Sequence, residues 1–536
     1  MDLTQEVQAW IADDPDPKTA AQLQQWLDSN NEVELRASFN GFLQFGTAGL
    51  RGPIRPGPSG MNRAVVGRTA AGLVAYMKER NLTSVVIGRD ARYGSEDFTF
   101  ETAEIMSGAG MKVYVLPRPL PTPVLAFATN ELKCDVGIMV TASHNPPQDN
   151  GYKVYLGGTV DGIHYRGSQI ISPTDESIAK KIDSITSLAS QPRGKEWIVL
   201  GEEVVHKYVG ITAALAQRPG NLKIVYTAMH GVGTQTLQQV FHKAGFSQPI
   251  LVDAQAQPDP DFPTVAFPNP EEPGAIDLAL ETARTFDADL VIANDPDADR
   301  CAAAVKDPIK GWRMLRGDEL GVILGETIAR ATSKGILANS IVSSSILSKI
   351  AAHYKLEFKE TLTGFKWLAK IDGLTFGYEE ALGYAVDAIT VNDKDGISAA
   401  IKLAQIATDL AAENKTLLDL LDEVWARHGF HATEQISIRL TDLSQVGVIM
   451  GSLRSNSPKE IAGRSVTSID DLANPSDGLP PTDGLRIWLD GGIRIIIRPS
   501  GTEAKMKCYI EAIAKDSATA QTVLDQLRAP LKELLS

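Results

Sequence analysis

Short runs of apolar, often β-branched residues alternate along the chain with longer segments of helical character. From about residue 62 onward these runs are SVVIG, KVYVL, VGIMV, LKIVYT, ILVDA, LVIAN and IVSSSI. Continuous apolar runs separated by helices are typical of strands buried on both faces of a mostly parallel sheet. The pattern therefore predicts an α/β protein built from βαβ units.

The two ends of the chain follow other patterns. Residues 1–40 predict two amphipathic helices around the DPDP segment, where a proline stands near the first turn of the second helix. Near the other end, IRLTDL, GLRIWLD and GIRIIIRP alternate apolar and polar residues, and DSATAQTVLDQLRAPLKELL predicts a terminal helix. Period-two alternation indicates strands with one exposed face, so we expect a small α+β domain with an antiparallel sheet there.

The length of the chain, 536 residues, indicates several domains, because single hydrophobic cores stop growing at about 250 to 300 residues. Candidate boundaries lie in polar stretches near residues 190–205, 310–318 and 430–440. Apolar residues make up 43% of the chain and charged residues 22%, an ordinary balance for a globular protein.

Charge and cysteine content exclude several classes of protein. The 52 Lys and Arg residues against 66 Asp and Glu give a net charge of −14 without a basic cluster, so we expect no nucleic-acid partner. The acidic, proline-interrupted N-terminus is unlike a signal peptide, and no apolar run is long enough to span a bilayer, so we expect a cytoplasmic protein without a membrane partner. Cys134, Cys301 and Cys508 are too far apart for a CxxC motif, which predicts buried free thiols.

Three of the apolar runs end in polar loops: GRDAR after SVVI, TASHNP after VGIMV, and NDPDADR after LVIA. Ligands of open α/β sheets bind at the carboxyl ends of the strands. These loops are therefore where we look for chemistry.

The third loop predicts a metal site. Asp295, Asp297 and Asp299 stand at alternate positions, so three carboxylates can converge on one hard cation. An EF-hand is excluded, because Arg300 replaces the turn glycine and Lys306 replaces the bidentate glutamate. A solvated acidic turn is the alternative, but apolar segments on both sides argue against it. Carboxylates without His or Cys favour Mg²⁺ over Zn²⁺.

The second loop carries a candidate nucleophile. Ser143, with His144 beside it and Lys153 downstream, could carry or accept a phosphoryl group. A purely structural turn around residues 145–147 is the alternative. A Ser-His-Asp hydrolase is excluded because no G-x-S-x-G motif surrounds Ser143, and the chain contains neither a P-loop nor a complete dinucleotide fingerprint.

Two later loops suit a phosphorylated sugar. The RPSGTEAK segment, Arg498 to Lys505, combines a guanidinium, two hydroxyls and a glycine that together can hold a phosphate dianion. In GYEEALG, Glu379 and Glu380 lie between glycines and can accept hydrogen bonds from sugar hydroxyls. Ordinary turns remain the alternative for both segments.

In this order, TASHNP, DPDADR, GYEEALG and RPSGTE resemble the four signature loops of the α-D-phosphohexomutase superfamily, which includes phosphoglucomutases and phosphomannomutases. The four matches span residues 141–503. The segments FGTAGLRG, TAMHGVG, TGFKWL and KDG also resemble the family, so the resemblance extends over nearly the whole chain.

The resemblance implies four domains around a central cleft, three α/β domains with mixed sheets and a smaller C-terminal α+β domain. Combined with the polar stretches, it predicts a phosphoserine domain with an N-terminal helical extension over residues 1–205 and a metal-binding domain over residues 206–315. A sugar-binding domain would follow over residues 316–435 and a phosphate-binding domain over residues 436–536.

The resemblance also implies roles for individual residues. Ser143 would be the phosphoserine, and one of its phosphoryl oxygens would bind Mg²⁺ with Asp295, Asp297 and Asp299. Basic groups near the reacting phosphate, with Lys153 as the proton shuttle, would be Arg51, His144, Lys153, Arg300 and Lys366. Sugar and distal-phosphate contacts would be Glu379, Glu380, Arg498, Ser500, Gly501 and Thr502.

The implied activity is the interconversion of hexose 1-phosphate and hexose 6-phosphate, with glucose first and mannose second, through a catalytic sugar bisphosphate. The sugar loop departs from the common GEESFG form, because Tyr378, Ala381 and Leu382 replace Gly, Ser and Phe. The YEEALG form is more similar to a subgroup with phosphopentomutases and sugar-bisphosphate synthases, which are the alternatives. A phosphosugar sensor without catalysis is a further alternative.

Overall fold

The structure is a computed structural model that describes residues 2–442, 444–499 and 505–535. Its α-helices in these ranges are α1 (Leu3–Asp13), α2 (Pro17–Asp28), α3 (Glu32–Ser38), α4 (Arg63–Glu79), α5 (Ser95–Gly108), α6 (Thr122–Glu131), α7 (Thr174–Asp183), α8 (Glu203–Ala213), α9 (Gly233–Lys243), α10 (Asp277–Thr285), α11 (Gly317–Ala331), α12 (Ile346–His353), α13 (Phe365–Leu368), α14 (Gly396–Ala412), α15 (Leu417–His428), α16 (Ser444–Ser455) and α17 (Ser517–Leu534).

The strands are β1 (Leu50–Pro53), β2 (Ser84–Arg89), β3 (Lys112–Val115), β4 (Val136–Val140), β5 (Asp149–Leu156), β6 (Thr159–Val160), β7 (Ile163–His164), β8 (Ser168–Gln169), β9 (Trp197–Val199), β10 (Ile224–Thr227), β11 (Ile250–Leu251), β12 (Leu290–Ala293), β13 (Ala302–Asp307), β14 (Gly311–Met314), β15 (Ile336–Ser340), β16 (Glu357–Thr361), β17 (Leu374–Glu379), β18 (Gly383–Ala385), β19 (Phe430–Arg439), β20 (Glu460–Ile461), β21 (Arg464–Asp471), β22 (Leu485–Leu489), β23 (Ile493–Pro499) and β24 (Lys505–Ala514).

The chain forms two compact units. The first unit consists of Met1–Leu315, Ala369–Asp372 and Gly383–Asp409, and the second of Arg316–Leu368, Gly373–Leu382 and Leu410–Ser536.

The first unit contains two mixed sheets. In the larger sheet the order is β1-β5-β4-β2-β3-β9, with β8 beside β5. Strands β4, β2, β3 and β9 are parallel, whereas β5 is antiparallel to β1 and β4. The second sheet has the order β11-β10-β12-β13-β14, and β12 and β13 are antiparallel. The predicted α/β architecture with mixed sheets is confirmed for this unit.

Apolar runs form the buried centre of these sheets. All five residues of β4 and all four of β12 are buried, and helices α5 and α6 pack against β2 and β4. Because such strands are covered on both faces, their polar groups are restricted to the loops that follow them. This arrangement brings the polar loops after β4 and β12 to the carboxyl ends of central strands.

The second unit contains a parallel layer and an antiparallel sheet. Strand β15 is parallel to β16 and to β17, and helices α11 and α12 pack on this layer. The antiparallel sheet has the order β19-β24-β23-β22-β21-β20, and α17 packs against β19 and β24. Its core includes Ile487, Ile495, Ile510, Leu524 and Leu527. The predicted C-terminal α+β domain and its terminal helix are confirmed.

Two sequence-based expectations about elements were wrong. The N-terminal region contains three helices instead of two, because Asn30 adopts a left-handed φ of 51° and the Asn31 side chain caps α3. The IVSSSI run is not a strand. Strand β15 ends at Ser340, and the next serines form a turn whose groups bond to side chains elsewhere in the unit, such as Asp318, which accepts from Ser344 N at 2.7 Å.

Other features of the described residues agree with expectation. Cys134, Cys301 and Cys508 are buried and free. Among the helices described, none combines the length and the apolar character that crossing a bilayer requires.

A buried ionic network stabilises the second unit. Glu511 on β24 is 2% exposed. Its Oε1 lies within hydrogen-bond distance of His431 Nδ1 (2.9 Å), Ser344 Oγ (2.7 Å) and Ser345 N (2.8 Å), and its Oε2 lies 3.0 Å from an Arg494 nitrogen. Burial raises the pKa of Glu511, but Arg494 and His431 outweigh burial and lower it from 4.5 to about 2. The carboxylate is therefore charged at neutral pH.

This network predicts a pH-dependent stability. Because the folded-state pKa is depressed, the contribution of Glu511 is complete above about pH 4.5 and is lost as pH falls towards 2. Removing one partner of a buried pair costs about 3 to 5 kcal/mol. We expect Glu511→Gln to lower the urea midpoint of this unit clearly at pH 7 and less at pH 3. Glu434→Gln, which removes a more exposed ion pair with Arg528, is the control, and an equal loss in both variants would contradict the prediction.

Candidate active site

Ser143 lies three residues beyond the end of β4 in a constrained conformation. Its φ is 53°, in the left-handed region that non-glycine residues rarely adopt. Its backbone N–H donates to Thr141 Oγ1 at 2.9 Å, and the residue is only 3% exposed. The surrounding loop must therefore compensate for this conformation.

Arg92, from the GRDAR loop after β2, provides that support. Its guanidinium donates to the carbonyl oxygens of Ser143 and Asn145, both at 2.7 Å, and of Pro146 and Asp149 at 2.8 and 3.1 Å. Arg92 is 4% exposed and forms an ion pair with the buried Asp90 carboxylate at 3.2 Å. One side chain thus fixes the backbone of the whole Ser143 loop.

The Ser143 hydroxyl lies between an acid and a base. Its Oγ is 2.9 Å from Asp295 Oδ2 and 3.2 Å from His144 Nδ1. Burial, together with Arg300 and Arg51, lowers the pKa of His144 well below its ordinary value. The imidazole is therefore neutral at physiological pH and lies within hydrogen-bond distance of the serine, whose hydroxyl donates to Asp295.

Three aspartates form a buried cluster beside Ser143. Asp295, Asp297 and Asp299, in the loop between β12 and β13, are at most 1% exposed, and one oxygen of each lies within 4.8 Å of the others. Lys153 Nζ on β5 contacts Asp297 Oδ2 at 2.7 Å and Asp299 Oδ2 at 3.0 Å. Lys394 Nζ lies 3.2 Å from Asp299 Oδ2. The two lysines thus place positive charge beside Asp297 and Asp299.

The pKa values reflect this balance. Burial and the neighbouring carboxylates raise the pKa of Asp295 well above its ordinary value. Burial also opposes ionisation of Asp297, but Lys153 outweighs it and lowers the pKa of that carboxyl. Burial lowers the pKa of Lys153, yet the two carboxylates it contacts raise it overall, so the amine is an ammonium.

The cluster fits a hard divalent cation. Among the described residues, Asp297 Oδ1 and Asp299 Oδ1 are buried without a hydrogen-bond partner, which is costly unless another group satisfies them. Carboxylate oxygens without nitrogen or sulfur donors suit Mg²⁺. The predicted Mg²⁺ site is therefore supported by the donor set and by these two unsatisfied oxygens.

The remaining predicted basic groups of the first unit lie close to these residues. Arg51 on β1 donates to Asn145 Oδ1 in the Ser143 loop at 3.2 Å. The Arg300 backbone N–H donates to Asp295 Oδ1 at 3.0 Å, and its guanidinium lies 3.8 Å from Glu271. The structure thus brings together the predicted site residues of this unit: Arg51, Ser143, His144, Lys153, Asp295, Asp297, Asp299 and Arg300.

A second group of predicted residues lies in the second unit. Glu379, at the end of β17, accepts from Gly364 N at 2.6 Å, two residues before Lys366. Glu380 Oε2 accepts from Ser343 Oγ at 3.0 Å and from Ser340 Oγ at 3.2 Å.

Tyr509 links the two predicted loops of this unit. Burial raises the pKa of Tyr509, the charges of Glu380 and Glu379 raise it further, and the Arg498 guanidinium opposes this increase. The predicted sugar loop and Arg498 therefore lie close together around Tyr509. Ser500, Gly501 and Thr502 lie outside the described residues.

Sequence reasoning missed three residues of the first unit. Arg92 belongs to a loop flagged for chemistry, and Lys394 to the KDG segment, yet neither was given a role. Thr122, at the start of α6, donates to Asp297 Oδ2 at 2.6 Å and carried no signal in the sequence.

Family models match most of the chain. The models of the phosphoglucomutase/phosphomannomutase alpha/beta/alpha domains I, II and III match residues 43–189, 204–311 and 316–428, respectively. The model of the C-terminal domain of the same family matches residues 452–529. The chain belongs to the phosphoglucomutase/phosphomannomutase family. It is a phosphosugar mutase, an isomerase that transfers a phosphoryl group intramolecularly, and the fold is that of the family, three α/β/α domains and a C-terminal domain.

Individual relatives support the assignment. A "probable phosphomannomutase" of Haemophilus influenzae is 48% identical over 483 residues, covering 89% of this chain and 98% of that protein. A phosphopentomutase of Mus musculus is 33% identical over 595 residues, covering 99% and 94%. The fold is similar to a phosphoglucomutase/phosphomannomutase family protein from Burkholderia thailandensis, with a TM-score of 0.71 at 20% identity and coverage of 91% and 97%.

The hydrogen bonds from Arg92 to the Ser143 loop lead to a testable prediction for this mutase. A lysine at position 92 keeps the charge but cannot donate to four carbonyl oxygens at once. We expect Arg92→Lys to lower the mutase kcat/KM on the order of 100-fold, because the nucleophile loop is displaced. Arg89→Lys is the matched control, since Arg89 pairs with the exposed Glu96. Equal kcat/KM values for the two variants would refute this role.

Proposed function

We propose that this mutase interconverts hexose 1-phosphate and hexose 6-phosphate, with glucose as the first substrate and mannose as the second. The observation that carries the proposal is the position of Ser143, held in a left-handed conformation with its Oγ 2.9 Å from Asp295 and 3.2 Å from a neutral imidazole. A serine placed between an acidic cluster and basic groups suits reversible phosphoryl transfer.

Ser143 carries the phosphoryl group in the proposed reaction. A sugar hydroxyl attacks the phosphorus, the new O–P bond forms on the sugar, the Ser143 Oγ–P bond breaks, and the hydroxyl proton is transferred to Oγ. The product is a sugar bisphosphate. Its other phosphoryl group then returns to Ser143 by the reverse step, which regenerates the phosphoenzyme.

The basic groups around Ser143 have complementary tasks. Lys153, an ammonium between two carboxylates, is the proton shuttle of the proposal. His144, whose Nδ1 lies 3.2 Å from Ser143 Oγ, helps to hold the phosphoryl group on the serine. Arg51 and Arg300 offset the negative charge of the transferring phosphoryl group.

Asp295, Asp297 and Asp299, together with a phosphoryl oxygen on Ser143, would hold Mg²⁺, and the two unsatisfied Oδ1 atoms support this assignment. When bound, Mg²⁺ neutralises charge on the transferring phosphoryl group. The chain's own part is to hold the carboxylates in place. Lys153 contacts Asp297 and Asp299, Lys394 contacts Asp299, and the Arg300 backbone N–H donates to Asp295.

The second unit supplies the proposed substrate contacts. Glu379 and Glu380 accept hydrogen bonds from sugar hydroxyls, and Lys366 lies in α13, two residues after Gly364, whose N–H donates to Glu379. Arg498, with Ser500, Gly501 and Thr502, binds the phosphate that does not react. The effect of Arg498, Glu379 and Glu380 on the pKa of Tyr509 supports this role, because it shows that the guanidinium and the two glutamates lie near the same side chain.

We infer four domains with these tasks, over residues 1–205, 206–315, 316–435 and 436–536. Each range contains a separate sheet, which supports the division, although β19 (Phe430–Arg439) of the last sheet begins before residue 436.

A second candidate is phosphopentomutase activity, or synthesis of a sugar bisphosphate. The 33% identity to a phosphopentomutase over 99% of the chain and the YEEALG form of the sugar loop favour it. A sensor that binds phosphosugars without catalysis is less well supported, because it needs neither the constrained Ser143 nor the acidic cluster beside it.

Parallel kinetics test the proposal. We would measure kcat/KM for glucose 1-phosphate, mannose 1-phosphate and ribose 1-phosphate with Mg²⁺ and a trace of the matching bisphosphate. We expect the hexose phosphates to lead and Ser143→Ala to be inactive. A higher kcat/KM for ribose 1-phosphate would identify a pentomutase instead. Equal activity of wild type and Ser143→Ala would exclude the phosphoserine mechanism, and intact mass would report phosphorylation of Ser143.

Metal removal gives a second test. Chelation should abolish mutase activity, and Mg²⁺ should restore it and raise the unfolding temperature, because a cation relieves repulsion among buried carboxylates. The stabilisation expected at 100 times Kd is about 2.7 kcal/mol. Asp297→Asn should lose most of this thermal shift, whereas Asp307→Asn, at the end of β13 and outside the acidic cluster, should keep it. A thermal shift that survives in Asp297→Asn would contradict the assignment.

A further inference from the structure

Thr122 connects helix α6 to the acidic loop. Its hydroxyl donates to Asp297 Oδ2 at 2.6 Å, and its backbone N–H donates to the Asp297 carbonyl oxygen at 2.9 Å. Thr122 is fully buried, as is Asp297. The two residues are 175 positions apart in the sequence and belong to segments with different sheets.

The two oxygens of Asp297 have different surroundings. Oδ2 receives hydrogen bonds from Thr122 and from Lys153, at 2.6 and 2.7 Å. Oδ1 is buried and, among the described residues, lacks any hydrogen-bond donor. Two donors on one oxygen fix the rotation of the carboxylate and leave its other oxygen for a different partner.

The two oxygens of Asp299 also have different surroundings. Lys153 and Lys394 lie 3.0 and 3.2 Å from its Oδ2, and its Oδ1 is buried without a donor in the described part of the chain. Thr122 differs from these lysines in being neutral. It can therefore orient Asp297 without reducing the negative charge that attracts a cation.

We propose that Thr122 is a positioning residue that sets the affinity for the divalent cation by turning Asp297 Oδ1 into the metal site. This inference rests on the proposed function for the identity of the cation. Thr122 contacts the carboxylate and not the reacting groups, so its effect is on metal affinity and not on the chemical step. Loss of a residue that orients a metal ligand typically weakens binding about 10- to 100-fold.

Isosteric variants separate the hydroxyl from the packing of the helix. Thr122→Val keeps the side-chain shape and the backbone hydrogen bond but removes the donor to Asp297, whereas Thr122→Ser keeps the donor. Thr129→Val on the same helix is the matched control, because Thr129 is equally buried and, among the residues the structure describes, its hydroxyl donates only to the Leu125 carbonyl oxygen, at 2.9 Å. Thr122→Ala replaces Thr122→Val if the latter does not give folded protein.

The measurement is the Mg²⁺ Kd by isothermal titration calorimetry. All proteins are brought to the same phosphorylation state, checked by intact mass. We expect a Kd about 10- to 100-fold higher in Thr122→Val, and values near wild type in Thr122→Ser and Thr129→Val. The Mg²⁺ concentration for half-maximal mutase activity should rise in Thr122→Val, while kcat at saturating Mg²⁺ should be largely retained.

Three outcomes would overturn the inference. An unchanged Kd in Thr122→Val would mean that the hydroxyl does not position the ligand. An equal weakening of Mg²⁺ binding in Thr129→Val would mean that the effect comes from the packing of the helix and not from the Thr122 hydroxyl. Absence of Mg²⁺ binding in the wild type would remove both this inference and the metal site of the proposed function. A mutase that remains active as Ser143→Ala would refute the proposed mechanism alone and leave the Thr122 result intact.

Discussion

The burial of three carboxylates in one loop is the constraint on which the site depends. Asp295, Asp297 and Asp299 are almost fully buried, and charges removed from water are tolerated only with partners. Lys153 and Lys394 supply positive charge, and Thr122 supplies a neutral donor. These partners come from distant segments, so the first unit must be folded before the acidic loop can adopt its conformation. The energy cost of this cluster is offset by the rest of the fold.

The sheets explain why these groups meet. Strands β4 and β12 are buried along their whole length, so polar residues collect in the loops at their carboxyl ends. Lys153, on β5 and paired in register with Met139 of β4, adds a cation from a neighbouring strand. Because a central strand is made of apolar residues, the polar side chains that can bind a ligand lie in the loop that follows the strand.

The sequence was informative where residues with related roles are close along the chain. The aspartate triplet and the Ser143 motif each occupy a few positions, and β4 and β12 are clear apolar runs. It was uninformative where a role depends on pairing between remote segments. Arg92 bonds to a carbonyl 51 positions away and Thr122 to a carboxylate 175 positions away, and only the order of the strands brings them together. The IVSSSI run was misjudged because its serines bond to side chains such as Asp318, whose location the local pattern does not reveal.

The hydrogen bonds from Arg92 also restrict motion. Because four carbonyl oxygens of the Ser143 loop are tied to one buried guanidinium, the loop has little freedom to follow a moving substrate. In a reaction where both ends of a bisphosphate must visit the same serine in turn, the nucleophile is the stationary partner. In the proposed reaction the sugar therefore has to reorient between the two phosphoryl transfers, while Ser143 keeps its position.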